Sequence, residues 1–300
     1  MKIIVLGAAA GGGFPQWNSN AAGCRRARTG DPAAPARTQA SIAVSSDGAR
    51  WHIVNASPDL RQQINDTPAL HPREGLRHSP IAGVVLTGGD VDVVAGLLTL
   101  RERQPLTVHA TKRIHELLDA NPIFEVLARD VVARAVQALD MPFELGAGLV
   151  ATLFAVPGKV PLFLESGGAP PPIVTDDTTV GLEVRHGTQR LVYIPGCAAI
   201  LPDLAERIAT ADLVFFDGTL WRDDEMIVAG IGAKSGRRMG HMSLSGDGGT
   251  IAAFRAIPAG RKVIIHMNNS NPVLLADSAE RGEAEAAGWM VAYDGLELTL

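Results

Sequence analysis

The sequence predicts an α/β fold in which two β-sheets pack face to face and helices cover their outer surfaces. Short apolar runs bounded by turn residues predict strands, whereas stretches with a helical apolar period predict helices. Strands outnumber helices, and the helices are scattered between them, which is typical of packed sheets rather than of a helical bundle. The 300 residues, 46% of them hydrophobic, supply a large core, and we interpret residues 1–300 as one domain.

The predicted strands are rich in β-branched and aromatic residues, which suit a pleated surface. In chain order they lie at residues 3–6, 41–44, 51–55, 81–86, 107–110, 150–156, 179–184, 190–194, 213–216, 262–266 and 290–293. The predicted helices lie at residues 93–100, 112–119, 123–138, 201–208, 224–230, 248–255 and 278–287. Residues 166–172 are rich in proline and glycine and predict a surface loop, because proline cannot serve a central strand.

The composition excludes several classes of protein. Lys and Arg number 27 against 32 Asp and Glu, which gives a net charge of −5. Without a basic stripe, nucleic acid is not an expected partner. No apolar run is long enough to cross a bilayer, and the N-terminus runs straight into a predicted strand rather than a cleavable signal. We therefore expect a soluble, cytoplasmic protein with no membrane contact.

Cysteine usage narrows the structural classes further. Cys24 and Cys197 are the two cysteines of the sequence. Two thiols do not form a disulfide scaffold and cannot supply a zinc site made of four thiolates.

Residues 84–98 carry the strongest functional signal. An apolar run ends at Gly88 and Gly89, the carboxylates Asp90 and Asp92 follow, and a second apolar run begins a helix. Carboxylates at the exit of a buried strand are typical of active sites. The alternative is that Asp90 only caps the helix by accepting hydrogen bonds from its first amides. Capping does not require Asp92, whose charge is costly to bury without a partner.

The glycine-rich segment 7–18 follows the first predicted strand and superficially resembles a dinucleotide-binding turn. Its glycines are clustered rather than spaced, and Pro15 prevents a helix from beginning where a phosphate would bind. The segment is better interpreted as a loop that brings backbone close to a neighbour or a ligand.

Three strand-end segments in the second half carry the remaining chemistry. Asp217 ends one apolar run, His241 lies in a loop beside a glycine, and His266 ends another apolar run. Each histidine alone is more often a structural residue. Two imidazoles and a carboxylate together suit non-haem Fe(II), and zinc remains an alternative. The amides of Asn268, Asn269 and Asn271 predict either hydrogen bonds to a polar substrate or a turn.

The order of these motifs carries a family resemblance. A glycine-rich turn is followed by Thr87-x-x-Asp90-x-Asp92, then by Asp217-Gly218-Thr219, Gly240-His241 and the late His266. This order resembles the metallo-β-lactamase superfamily. Blocks at residues 11–18, 55–59, 71–73, 77–80, 156–161, 194–197, 239–242 and 268–272 resemble, more closely, a family of pyrroloquinoline quinone (PQQ) biosynthesis proteins over the whole chain.

The resemblance implies a four-layer αββα sandwich with a metal at one edge. It implies Fe(II) held by Asp90, Asp92, Asp217, His241 and His266, with Asp92 and the two histidines as the catalytic residues. The implied reaction is iron-dependent hydroxylation of the tyrosine ring of a Glu–Tyr-derived precursor. The alternative is a soluble carrier of PQQ or its precursor with a degenerate metal site.

The expected substrate is a small acidic PQQ precursor. Arg77 and His78, together with Asn268, Asn269 and Asn271, are the residues we expect to orient it by charge and hydrogen bonding. We also expect other proteins of the PQQ pathway as partners, and a homodimer as the assembly.

The sequence departs from the pattern it resembles at two places. The superfamily segment Thr-His-x-His-x-Asp-His has Gly88, Asp90 and Val93 at its three histidine positions here. Val93 cannot bind metal, which favours the carrier, whereas the retained carboxylates and imidazoles favour the enzyme. The N-terminal loop keeps Cys24 alone of the family's Cys-x-Cys-x-x-Cys motif, so zinc is not expected there. A two-metal hydrolase needs more imidazoles than this site offers.

Overall fold

The computed structural model describes residues 1–159 and 172–300, so the loop predicted at 166–172 lies outside the described residues except for Pro172. The described residues form two seven-stranded sheets. The first contains, in spatial order, β14 (Glu297–Thr299), β1 (Lys2–Gly7), β2 (Ser41–Ser45), β3 (Trp51–Val54), β4 (Ile81–Val85), β5 (Leu106–Ala110) and β6 (Val132–Val136). The second contains β13 (Trp289–Val291), β12 (Arg261–Ile265), β11 (Leu213–Asp217), β10 (Gln189–Ile194), β9 (Val180–His186), β8 (Leu149–Ala155) and β7 (Pro142–Gly146).

The helices are short and connect the strands. In the described ranges they are α1 (Ala22–Arg28), α2 (Leu60–Asp66), α3 (Val91–Val94), α4 (Lys112–Asp119), α5 (Pro202–Ala209), α6 (Glu225–Val228), α7 (Gly236–Met239), α8 (Thr250–Ala253) and α9 (Ala279–Ala286). Short 3₁₀ helices lie at Pro68–Leu70, Ala95–Leu100, Pro122–Val126 and Pro272–Leu274. None of the helices in the described ranges has the length and apolar character needed to cross a membrane.

Alternation along β1 shows how the layers are built. Ile3 and Val5 belong to one hydrophobic cluster, which is shared with the strands of the second sheet. Ile4 and Leu6, which point the other way, belong to a second cluster that includes Leu60 of α2 and residues of α4. Because side chains alternate across a strand, the first cluster fills the space between the sheets and the second lies under the helices. The predicted sandwich of two sheets covered by helices is confirmed.

One predicted helix is wrong. Residues 123–138 were expected to be helical, but the structure has the 3₁₀ segment Pro122–Val126 and then strand β6. Val132 is buried, and β6 pairs in parallel with the edge of β5 from Leu106 to Ala110. Pairing with an available strand edge outweighs the helix propensity of the Ala and Arg residues in this stretch.

Other elements were not predicted, or are divided differently from the prediction. The predicted helix 93–100 is divided into α3 and the 3₁₀ segment Ala95–Leu100. The strands β7 and β14 and the helices α1, α2 and α7 were not predicted. The two missed strands lie at sheet edges, where each pairs with one neighbour, and such strands carry little apolar periodicity.

Parallel strands place several loops at one edge of the sandwich. In the first sheet β3, β4, β5 and β6 run parallel, and in the second β10, β11, β12 and β13 do. The glycine-rich loop after β1 connects the two sheets at this edge. Ala10 donates its amide to the carbonyl of Met267 at 2.7 Å, and Met267 donates to Ala8 at 3.1 Å. The interpretation of this loop as a close backbone approach is therefore confirmed.

Candidate metal centre

A cavity of about 370 Å³ opens where the loops of the two sheets meet. From the first sheet it is lined by Gly88, Asp90, Asp92 and Val93, which follow β4. From the second sheet it is lined by residues that follow β11 and β12 and by the loop after α7, namely Thr219, His241, His266 and Asn268. Asp217 is not among the residues that line it.

The backbone presents each imidazole at a sharp turn. His266 follows the last residue of β12 and adopts a positive φ of 60°. This left-handed conformation is uncommon for a residue with a β-carbon. His241 follows Gly240, which closes α7 with a φ of 85°. Both turns bring a histidine out of regular structure and direct it towards the cavity.

Asp217, the last residue of β11, is fully buried and surrounded by donors. Its Oδ1 accepts from the amide of Thr219 at 3.0 Å and from the Thr219 hydroxyl at 2.7 Å. Its Oδ2 accepts from the amide of Cys197 at 2.9 Å and lies 2.7 Å from Nδ1 of His241. Burial alone would raise the pKa of Asp217, but the nearby His241 and His266 imidazoles and the Thr219 hydroxyl lower it below its usual value.

The two imidazoles and the carboxylates form one compact group. The His241 and His266 rings stack with centroids 5.5 Å apart, and potential ligand atoms of Asp217, His241 and His266 all lie within 4.8 Å of one another. Nε2 of His266 lies 3.1 Å from Oδ2 of Asp92. Burial opposes the charge on His266, but the hydrogen bond and charge of Asp92 outweigh it, so the pKa of His266 is raised. Asp92 and His266 are 174 residues apart in sequence.

The first-sheet side of the cavity differs from the superfamily pattern as the sequence indicated. Asp90 occupies the N-cap position of α3, but its side chain makes no capping hydrogen bond. The side chain therefore does not act as the simple helix cap that was the alternative interpretation. Val93 lines the cavity where the pattern has a histidine.

The predicted substrate-binding residues are not all brought together. Asn268 lines the cavity and donates to Ser270 at 2.6 Å. Asn269 and Asn271 are buried. The side-chain amide of Asn271 donates to the carbonyl of Gly218 and accepts from the amide of Val273. Arg77 is 73% exposed and lies 3.7 Å from Glu102, while His78 accepts from the amide of Arg73. Neither Arg77 nor His78 is among the residues that line the cavity.

Some lining residues were missed from the sequence. Thr219 contacts Asp217, His241 and His266 through one hydroxyl, and its position in Asp217-Gly218-Thr219 was a signal that could have been used. Lys159 and Lys234 also line the cavity. Lys159 belongs to the block 156–161 that carries the family resemblance, but no local motif distinguishes Lys234, whose location depends on how the loops fold.

Comparison with known proteins defines the class first. Residues 50–267 match the family described as the β-lactamase superfamily domain. A diphosphatase of the PhnP family has the same fold, with a TM-score of 0.70 and 20% identity over 99% of this chain and 96% of that chain. The chain belongs to the β-lactamase superfamily, and its metallo-β-lactamase fold indicates a metal-binding protein.

Full-length relatives define the family within that class. Coenzyme PQQ synthesis protein B of Gluconacetobacter diazotrophicus is 64% identical, covering 100% of this chain and 99% of that protein. Its counterpart in Methylobacterium sp. (strain 4-46) is 55% identical over the full length of both. A crystal structure described as Zn²⁺-bound PqqB from Methylobacterium extorquens has a TM-score of 0.98 and 55% identity, covering 100% of both chains. The chain belongs to the coenzyme PQQ synthesis protein B family, as its sequence blocks predicted.

The zinc in that related structure bears on one expectation. The absence of zinc from the loop around Cys24 stays a prediction, and the description of the relative as Zn²⁺-bound gives it no support. In this chain Cys24 is buried and its Sγ lies 3.5 Å from Oδ1 of Asn269.

Proposed function

We propose that this protein acts in PQQ biosynthesis as an Fe(II)-dependent oxygenase that hydroxylates the tyrosine ring of a Glu–Tyr-derived precursor. One observation carries the proposal: Asp92, His241 and His266, from three separate segments, line a single cavity. Two imidazoles and one carboxylate that leave open positions are typical of non-haem Fe(II) oxygenases. Membership of the coenzyme PQQ synthesis protein B family supports the pathway.

The residues present fit a divalent cation. Nε2 of His266 and Oδ2 of Asp92 are 3.1 Å apart and both belong to cavity-lining residues. Two lone-pair donors this close need a cation between them, which is a proton in the metal-free protein. His241, His266 and Asp92 would hold the metal, with Asp90 beside them. Zinc accepts the same donor types, so the choice of Fe(II) rests on the reaction proposed.

Fe(II) bound at this site would supply the activation of dioxygen that hydroxylation of an aromatic ring requires. In the net reaction a ring C–H bond becomes C–OH. The second oxygen atom leaves as water, with two electrons from an external reductant and two protons.

The chain's own residues would bind and orient the substrate. Lys159 and Lys234 line the cavity and would attract the carboxylates of an acidic precursor. Met226 and Met239 also line it, and their thioethers make favourable contacts with aromatic rings. A cavity of about 370 Å³ is of the size that holds a small organic ligand.

The site also bears on domain organisation. Asp92 follows β4 of the first sheet, whereas His266 follows β12 of the second. Because the proposed ligand set requires both sheets, we propose that residues 1–300 act as one domain.

A soluble carrier of PQQ or its precursor is the second candidate function, and Val93 is the observation that favours it. Val93 lines the cavity at a position where the superfamily pattern has a histidine. A cavity with fewer ligands and two lysines would still bind an anionic intermediate or product. Other proteins of the pathway would then exchange this molecule with the carrier.

Isotope incorporation tests the enzyme against the carrier. The protein is purified without oxygen, loaded with Fe(II), mixed with a reductant and a Glu–Tyr-derived peptide, and exposed to labelled dioxygen. We expect one labelled oxygen atom in the tyrosine ring by mass spectrometry and none with His266→Ala. His186→Ala is the matched control, because His186 does not line the cavity. Tight binding of PQQ without iron, together with no labelled product, would replace the enzyme by the carrier.

A further inference from the structure

We propose that Asp217 and Thr219 form a positioning pair that holds His241 and His266 with hydrogen on Nδ1, leaving Nε2 of each ring for the metal. Asp217 is then not a metal ligand, although its sequence position suggested one. The inference rests on the metal site proposed above. It separates Asp217, which holds the two imidazole rings, from Asp92, which would bind the metal.

The carboxylate of Asp217 has no acceptor capacity left over. A carboxylate offers about four lone-pair sites on its two oxygens. Oδ1 receives the amide and the hydroxyl of Thr219, and Oδ2 receives the amide of Cys197 and faces Nδ1 of His241. A metal bound to Asp217 would have to displace at least one of these donors, and each displaced donor would be left unpaired in a buried place.

The hydrogen bonds of the Thr219 hydroxyl determine which ring nitrogen of His266 carries a hydrogen. A hydroxyl has one hydrogen to donate and two lone pairs that accept. The hydrogen points to Asp217 at 2.7 Å, the nearer of two oxygens that only accept, the other being the His266 carbonyl at 3.2 Å. The same hydroxyl oxygen lies 2.9 Å from Nδ1 of His266. Since Thr219 has no second hydrogen, Nδ1 of His266 must be the donor and must carry a hydrogen.

The same argument applies to His241. Its Nδ1 lies 2.7 Å from Oδ2 of Asp217 and 3.1 Å from the Thr219 hydroxyl. The carboxylate oxygen and the hydroxyl oxygen both act as acceptors here, so Nδ1 of His241 carries a hydrogen as well. When a neutral imidazole has its hydrogen on Nδ1, its Nε2 presents a free lone pair.

The position of the cavity agrees with this division of tasks. Thr219, His241, His266 and Asp92 line the cavity, whereas Asp217 does not. Nε2 of His266 lies 3.1 Å from Oδ2 of Asp92, so the proton that these two atoms share in the metal-free protein is the one that a metal would replace. Metal-ligating histidines commonly donate their other ring nitrogen to a carboxylate or another acceptor, which fixes the orientation of the ring. Asp217 and Thr219 occupy that supporting position for both rings.

Nitrogen NMR of the metal-free protein tests the proton positions directly. With ¹⁵N-labelled histidine we expect Nδ1 of both rings to be protonated, Nε2 of His241 to be unprotonated at a pH where that ring is neutral, and Nε2 of His266 to carry the hydrogen that it shares with Asp92. An unprotonated Nδ1 on either ring would overturn the proposal. This measurement needs no metal, so it separates the positioning pair from the proposed function, which fails if the wild-type protein binds neither Fe(II) nor Zn²⁺.

Substitution of the hydroxyl tests its effect on metal binding, with Zn²⁺ alone as the probe. Thr219→Val keeps the shape but removes the shared hydroxyl, and we expect Zn²⁺ affinity to fall by about 10–100-fold. Thr219→Ser restores the hydroxyl and should bring affinity back towards the wild-type value. Thr250→Val is the matched control, because the Thr250 hydroxyl is buried without a hydrogen-bond partner in the described part of the chain. Wild-type affinity in Thr219→Val would contradict the proposal.

Asp217→Asn distinguishes a positioning residue from a ligand. We expect weaker binding of Co²⁺, but at saturation the visible spectrum should keep the wild-type intensity and band positions, because the ligands are unchanged. A spectrum that indicates a lower or altered coordination at saturation would identify Asp217 as a ligand and overturn the proposal. If this variant does not fold, the NMR measurement on the wild-type protein still decides the question.

Discussion

Two pairs of histidines in this molecule, one half-buried and one buried, have opposite surroundings. His241 and His266 face Asp217, Asp92 and the Thr219 hydroxyl, and the pKa of His266 is raised. His52 and His109, on strands β3 and β5, are 4% and 8% exposed and have no carboxylate hydrogen-bonded to them in the described ranges. Burial lowers the pKa of His52 and of His109 to about 4.

The difference lies in the groups that surround each imidazole. His109 stacks on Phe143 with centroids 5.2 Å apart and hydrogen-bonds Gln137 at 3.1 Å, so it behaves as a packed, neutral ring. His241 and His266 are half-buried, with 18% and 15% of their side chains exposed. Both pairs are therefore shielded from most solvent, and the neighbouring carboxylates are what suit one pair to hold a cation.

The largest expected effect comes from removing one of the two cavity histidines, His241 or His266. His266→Ala and His241→Ala should each reduce bound metal to background, because two ligands are too few to hold Fe(II) in this arrangement. Metal content after dialysis measures this directly. His109→Gln, which removes an imidazole of the other pair, should retain the wild-type metal content. Full occupancy in His266→Ala would show that the metal is bound elsewhere.

Adding an imidazole at the opposite wall should have a smaller and favourable effect. Val93→His places a ring where Val93 lines the cavity beside Gly88. By analogy with the loss of supporting groups, we expect Fe(II) affinity to rise by about 10–100-fold. Titration with Fe(II) under anaerobic conditions measures the change. Val93→Ala is the control for altered packing, and an equal rise in that variant would rule out ligation by the new ring.

The buried neutral pair should make the fold sensitive to acid. Because the pKa of His109 is about 4 in the folded protein and about 6.5 in unfolded chains, the unfolded state takes up protons first as the pH falls. Stability from this group is complete above about pH 6.5 and is lost as the pH falls towards 4. Between about pH 6.5 and 5, His109→Gln should lose about 2 kcal/mol less free energy of unfolding than the wild-type protein.

Urea unfolding at several pH values measures this dependence. His186→Gln is the matched control, because His186 lies at the exposed end of β9 and is not fully buried. We expect it to keep the wild-type dependence on pH. An unchanged dependence in His109→Gln would mean that His109 has the same pKa in the folded and unfolded states.

The smallest expected effect concerns the N-terminal loop. With Cys24 alone of the family's cysteine motif, we predict that a chelator leaves the melting temperature of His266→Ala unchanged, because no second metal supports the fold. In His266→Ala, metal bound at His241 and His266 no longer contributes to the melting temperature. A marked drop in its melting temperature, abolished by Cys24→Ala, would identify a structural zinc in the loop.

Local sequence patterns predicted most of the central strands of the two sheets but not the edge strands β6, β7 and β14. The run Val84-Val85-Leu86 is buried throughout, and its composition suffices to predict a strand. In β6, by contrast, Val132 alone is buried while Ala133 and Val136 are exposed. What makes this segment a strand is its partner β5, which is a long-range contact that no local window contains.

The candidate site shows the same limit at the level of side chains. The position of polar residues at strand ends was enough to predict that Asp92, His241 and His266 belong together. It could not show that Asp217 points to buried donors rather than to the cavity, because this depends on the Cys197 amide. It also could not show that Arg77 lies on the surface beside Glu102, since charge alone does not place a residue.

The left-handed backbone at His266 has a consequence for attempts to stabilise this protein. A φ of 60° is unfavourable by about 1 kcal/mol for a residue with a β-carbon, whereas glycine adopts it freely and asparagine tolerates it. Selection for heat resistance alone would therefore favour glycine or asparagine at position 266. Such a variant would lose the ring that faces Asp92. Engineering for thermal tolerance should keep this position fixed and seek its gains at sites away from the cavity.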